Sequence, residues 1–108
     1  MDVRINARHC SITDSVREVA HARVSRLTRY EPRAAAAEIQ FSEENAFKHV
    51  DVRVSVPGAE PMLAHGTGDS FRSALDRSVD RLQRQLRRRR VRVRERHGQR
   101  LADQVSAE

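Results

Sequence analysis

Five histidines, one cysteine and fifteen acidic side chains are the groups in this 108-residue sequence that could serve acid–base, nucleophilic or metal chemistry, and their spacing favours none of the three. His9 and Cys10 are adjacent, while His21, His49, His65 and His97 are scattered, so the sequence does not assemble the three or four converging ligands of a metal centre. Glu43 and Glu44 fall in a predicted loop. Asp76 and Asp80 stand four apart on a predicted helix, among arginines that can neutralise them, which argues against a catalytic carboxylate pair. Gly66-Thr67-Gly68 has neither the Lys-Ser/Thr nor the third glycine of a phosphate-binding loop and reads as a turn into the next helix. The expectation is a protein that binds rather than catalyses: no enzyme, no catalytic residue, no metal, no cofactor and no small-molecule substrate.

The group that the sequence does concentrate is the guanidinium. Arginine supplies all but one of the 21 basic residues, and its distribution is uneven. Residues 1–68 carry nine basic against nine acidic side chains, whereas residues 69–100 carry twelve arginines against four acids, so the net charge of +6 originates in one segment. A guanidinium is planar, permanently charged and able to grip a phosphate with two parallel hydrogen bonds, so a concentrated arginine surface points to a phosphate-rich polymer.

A helix must carry that surface. Phe71, Ala74, Leu75, Val79, Leu82 and Leu86 recur at helical spacing after Asp69 and Ser70, either of which can cap the start. At 100° per residue, Phe71, Leu75, Val79, Leu82 and Leu86 cluster within about 80°, and Arg77, Arg81, Arg84 and Arg88 within about 60° on nearly the opposite side. One face packs and the other is an arginine rail. Upstream, Val3, Ile5 and Ala7 alternate with polar residues and predict a strand. A helix capped at Ser11 or Thr13 follows, with Val16, Val19, Ala20, Val24, Leu27 and Tyr30 as its stripe, and Pro32 ends it. Alternation returns in Ala35, Ala37, Ile39 and Phe41, then in Val50, Val52, Val54 and Val56. Pro57-Gly58 makes a turn before a short strand of Met62, Ala64 and Gly66.

Strand, helix, three strands, helix gives an α+β fold, β-α-β-β-β-α, with both helices packed on one face of a four-stranded sheet. Residues 1–90 are expected to form this domain and residues 91–108 an Arg-rich, flexible C-terminal tail, with too few apolar residues for a dimer interface. The chain is expected to be a monomer when free. No window approaches a membrane span and the first ten residues lack the apolar stretch of a secretory signal, which implies a cytoplasmic protein without a membrane partner.

The segments Ile5 to Arg17, Arg26-Leu27-Thr28-Arg29-Tyr30 with Arg33, and Ser73 to Arg87 resemble the ribosome hibernation-promoting factor family, also called ribosome-associated inhibitor A or the sigma-54 modulation protein family. The most specific piece is Ala74-Leu75-Asp76 through Asp80-Arg81-Leu82-Gln83-Arg84-Gln85-Leu86-Arg87, and the resemblance covers about residues 3–90. It departs at Ser70-Phe71-Arg72-Ser73-Ala74-Leu75-Asp76, where an arginine stands at the family's tyrosine position. It looks like a short-type member. The resemblance implies a domain similar to double-stranded-RNA-binding domains, which docks on rRNA of the small ribosomal subunit, occludes the mRNA and tRNA decoding region and inhibits translation during stationary phase or stress. Carried over, the rRNA-binding residues would be Arg23 and Arg26 on the first helix and Arg81, Arg84, Arg87 and Arg88 on the second. Arg77 joins them from the rail, and Arg89 and Arg90 from the run of four arginines. The alternatives are a general double-stranded RNA or DNA binder, and a protein–protein regulator of transcription.

Overall fold

Branched side chains at every second position, Val50, Val52 and Val54, form the buried centre of β3 (Phe47–Ser55), since a pleated strand sends alternate residues to one face. The computed structural model describes the backbone of residues 1–107 and the side chains of residues 1–89. β3 pairs antiparallel with β2 (Ala36–Glu44) and with β4 (Met62–Gly68), and β1 (Asp2–Arg8) pairs parallel with β2. The sheet order is therefore β1-β2-β3-β4. Asn45 and Ala46, with φ of 50° and 68°, close the β2–β3 hairpin in two residues, the backbone that suits strand twist. A turn this tight corrects the loop reading of Glu43 and Glu44. Both belong to β2, and Glu43 makes an ion pair with its register partner Lys48.

Thr13 caps α1 (Asp14–Ser25) by accepting the Val16 N–H at 3.2 Å, and a 3-10 turn (Arg26–Arg29) continues it. α2 (Phe71–Ala107) begins with a reciprocal cap: the Ser73 N–H donates to Ser70 Oγ at 3.1 Å and the Ser70 N–H to Ser73 Oγ at 3.3 Å. Ala20, Val24 and Leu27 from the first helical segment and Leu75, Val79, Leu82 and Leu86 from α2 join Ile39, Phe41 and the β3 valines in one core. Phe71 meets Phe41 edge to face, with 5.5 Å between centroids. The order β-α-β-β-β-α, with the apolar stripes of both helices in the sheet's core, agrees with the sequence reading.

Three details differ. Ala34, not Ala35, is the buried alanine ahead of β2. Gly66, read both as the end of the fourth strand and as part of a turn, lies in the strand, and Thr67 and Gly68 continue β4 rather than turning, with α2 pressed closely on it. A Cβ on Gly66 would come within 2.0 Å of the Ala74 carbonyl oxygen and 2.7 Å of the Ser78 nitrogen, so only glycine admits the helix at this distance. Ser78 is small enough for the same contact, and its buried hydroxyl is satisfied by the Leu75 carbonyl at 2.9 Å. The third difference is length: α2 does not end where its apolar stripe fades after Leu86 but is helical to Ala107. From Arg87 to Ala107 the sequence has one glycine and no proline, and arginine, glutamine, alanine and leucine all favour helix. The boundary near residue 90 thus coincides with no break in secondary structure, and the flexibility expected of residues 91–108 falls outside the described side chains.

Candidate nucleic-acid interface

The serine cap and the glycine contact at Gly66 fix where α2 starts and how close it lies to β4, and so which residues face outward. Between Phe71 and Arg89 the helix carries seven arginines against two aspartates. The packing stripe of Leu75, Val79, Leu82 and Leu86 is buried, and Arg72, Arg77, Arg81, Arg84, Arg87 and Arg88 are exposed. The rail is real, but its members have different neighbours.

One flank of α2 grips the outer edge of β4. An edge strand presents backbone groups with no ladder partner. Here Arg77 donates to the Thr67 carbonyl, Arg81 to the His65 carbonyl at 2.7 Å, Gln85 to the Leu63 carbonyl at 2.8 Å and Arg89 to the Glu60 carbonyl at 3.3 Å. Side chains four apart on the helix thus comb down the strand edge. A guanidinium has five donor hydrogens, so an arginine holding one carbonyl keeps others for a phosphate.

On the other flank the helices lock together. Arg23 of α1 makes an ion pair with Asp76 of α2, whose carboxylate also lies 3.7 Å from Arg72 Nε. Arg87 stacks its guanidinium over the Tyr30 ring at 5.3 Å and directs Nη2 to the Tyr30 hydroxyl at 3.4 Å. Between the flanks, Arg84 pairs with Asp80 at 2.8 Å and Arg88 Nε donates to the Arg84 carbonyl at 3.4 Å. Arg26 is exposed on the 3-10 turn and, among the described residues, makes no ion pair.

The other face of the sheet has no helix over it. Strand register places Arg4, Glu38, Arg53 and Leu63 in one row and Asn6, Gln40, Asp51 and His65 in the next. With Asp2, Arg8 and Glu44, this face holds three arginines against four carboxylates and carries no excess of positive charge.

Of the residues expected at the site, Arg84, Arg87 and Arg88 lie on the outward side of α2, with Arg26 on the adjoining turn. Arg23 lies at the junction of the helices, and Arg77, Arg81 and Arg89 on the β4 flank. The Arg90 side chain lies outside the described residues. Sequence reading missed Tyr30 as the platform for Arg87 and Gln85 as part of the comb. The spacing of Gln85 from Arg77 and Arg81 was a signal for the latter. Among the described residues, no group of three or more His, Cys, Asp or Glu side chains is arranged to hold a metal.

Fold and surface together define a small basic α+β domain whose arginines are held by a helix against a sheet edge. Residues 3–94 match the model of the Sigma 54 modulation protein / S30EA ribosomal protein family, and the chain belongs to that family. A ribosome hibernation promoting factor from Azotobacter vinelandii is 28% identical over 104 residues, which span 95% of this chain and 96% of that protein. Two solved structures share the fold. A ribosomal subunit interface protein from Coxiella burnetii superposes with a TM-score of 0.77 at 21% identity, over 84% of this chain and 99% of its own. The N-terminal domain of Protein Y from Thermus thermophilus gives 0.73 at 27% identity, over 82% and 98%.

Proposed function

We propose that this protein is a ribosome-associated hibernation factor of the cytoplasm, which docks the arginine side of its helices on small-subunit rRNA and occludes the mRNA and tRNA decoding region. The observation that carries this reading is the segregation of charge: seven arginines against two aspartates along the outward part of α2, and three arginines against four carboxylates on the open sheet face. Rigid arginines on a helix suit the phosphate backbone of folded RNA, which is recognised by shape more than by base edges. The name of the Azotobacter relative supports the ribosome as the partner. In this reading the protein is a binding module without catalysis and is a monomer when free.

Co-sedimentation with purified ribosomal subunits tests it. The chain should pellet with the small subunit and be displaced by mRNA and tRNA that fill the decoding region. Equal pelleting with the large subunit, or loss from ribosomes to an equal mass of duplex RNA, would move the reading to a general double-stranded nucleic-acid binder.

A further inference from the structure

His49 and His65, sixteen positions apart in the sequence, meet on the open face of the sheet, on the side away from α2. The β3–β4 register pairs Asp51 with His65 and His49 with Thr67, so four polar side chains share one patch. His65 Nδ1 lies 2.7 Å from Asp51 Oδ1, while its Nε2 lies 3.4 Å from His49 Nδ1 and 3.1 Å from Thr67 Oγ1. An ionised carboxylate only accepts hydrogen bonds, so the contact with Asp51 assigns the proton of neutral His65 to Nδ1 and leaves a lone pair on Nε2. That lone pair is on the side of His49.

The spacing is that of two ligands on one cation. Nitrogens bonded to a tetrahedral zinc at 2.0–2.1 Å each are separated by roughly 3.3–3.4 Å, and His49 Nδ1 and His65 Nε2 stand 3.4 Å apart. A ligating histidine characteristically gives its other N–H to a carboxylate, which fixes its tautomer and orientation. Asp51 already does this for His65. The rings are stacked with 29° between their planes, so rotation about the outer bond of His49 is needed to aim both lone pairs at a common point. Among the described residues His49 has no other hydrogen-bond partner to oppose that rotation. His65 and Asp51 are about half exposed, at 46% and 55%, so a cation reaches them without opening the fold.

We propose that His49 Nδ1 and His65 Nε2 form a surface site for a first-row divalent cation of the zinc or copper type, with Asp51 orienting His65 and with Thr67 Oγ1 and water available for the remaining positions. Imidazole nitrogen favours these cations over magnesium or calcium, which prefer oxygen. Two protein ligands make an open, exchangeable site rather than a closed structural centre. Bound there, the cation ties β3 to β4 on the face that the proposed RNA contact does not use, so its occupancy and ribosome binding can be measured independently.

The test is calorimetric titration of the metal-stripped full chain with Zn²⁺, with Mg²⁺ as the control. One equivalent of Zn²⁺ should bind and Mg²⁺ should give no comparable heat. His49→Ala and His65→Ala should each weaken Zn²⁺ binding by more than about tenfold, and Asp51→Asn by about tenfold or more, with far-ultraviolet circular dichroism unchanged. His21→Ala, in a histidine far along the chain on α1, should leave the affinity unaltered. No Zn²⁺ binding by the parent chain, or equal affinity in the His49→Ala/His65→Ala double variant, would overturn the site. Unchanged affinity in Asp51→Asn would overturn the role given to the carboxylate.

Discussion

The two sides of this sheet are built from differently charged sequence and end with different characters. On the open face, Arg4 and Arg53 share a row with Glu38, and Arg8 is outnumbered by Asp2, Glu44 and Asp51 in the other rows. On the helix side, α2 needs its apolar positions for packing and fills most of its outward ones with arginine, leaving Asp76 and Asp80 engaged with Arg23, Arg72 and Arg84. A net charge of +6 is modest. What makes it a field able to steer toward a polyanion is its concentration along α2, which through Arg89 carries seven arginines against two aspartates. Arg23, Arg77 and Arg87 each have an internal partner and remain part of the basic surface, so on the helix side the same residues serve the fold and the proposed contact.

The largest effect that should separate the two sides is on ribosome association. If the helix side meets about six phosphates, affinity should fall on the order of a thousandfold between about 50 and 200 mM salt, and the triple reversal Arg84→Glu/Arg87→Glu/Arg88→Glu should abolish co-sedimentation. The matching reversal on the sheet side, Arg4→Glu/Arg8→Glu/Arg53→Glu, should retain most of it; equal loss from both triples would erase the distinction. Next in size is the packing beneath the rail. Leu82→Ala removes a fully buried side chain between α2 and the sheet and should cost about 2–5 kcal/mol in denaturant unfolding. Gly66→Ala forces a methyl into the Ala74 carbonyl and should cost about 1–3 kcal/mol, with amide exchange accelerated first along β4 and the start of α2. The smallest change in stability is expected of Arg84→Glu alone, within about 0.5 kcal/mol, because its pair with Asp80 is a solvent-exposed i,i+4 contact. A measurable weakening of ribosome binding by that same substitution would show charge and stability parting at a single residue.

Much of this architecture was legible in one sequence because it is written in periodicities. The β3 valines, the Leu75–Leu86 stripe and the Ser70 cap are local patterns, and each formed the expected element. The positions of Arg84 and Arg88 opposite the stripe follow from the helical period alone. What was not legible depends on relations between elements. Gly66 could be read as strand or as turn and Gly68 looked like a turn, because nothing local reveals that a helix will lie against them. His49 and His65 looked scattered, since only the β3–β4 register makes them neighbours. The partners of Arg77, Arg81 and Arg89 are backbone carbonyls, which every residue possesses and no side-chain pattern announces.

The comb that joins α2 to the edge of β4 behaves as a vernier scale. Four residues of helix advance roughly 6.0 Å, and two residues of strand roughly 6.8 Å, so successive teeth fall out of step by nearly 1 Å each. Arg77, Arg81 and Gln85 meet Thr67, His65 and Leu63 at two-residue intervals, but the fourth tooth, Arg89, lands on Glu60, three residues further on and beyond the end of the strand. Two rulers of unequal pitch coincide over only a short span, and long, jointed side chains such as arginine absorb the drift that shorter ones could not. The contact also has a single setting: sliding the helix by one turn would put Asp80 in the place of Arg84, Ser73 in that of Arg77 opposite Thr67, and Ser78 in that of the buried Leu82. A helix held in this way is indexed along its axis as well as packed, and its arginines present a fixed phase to whatever surface they meet.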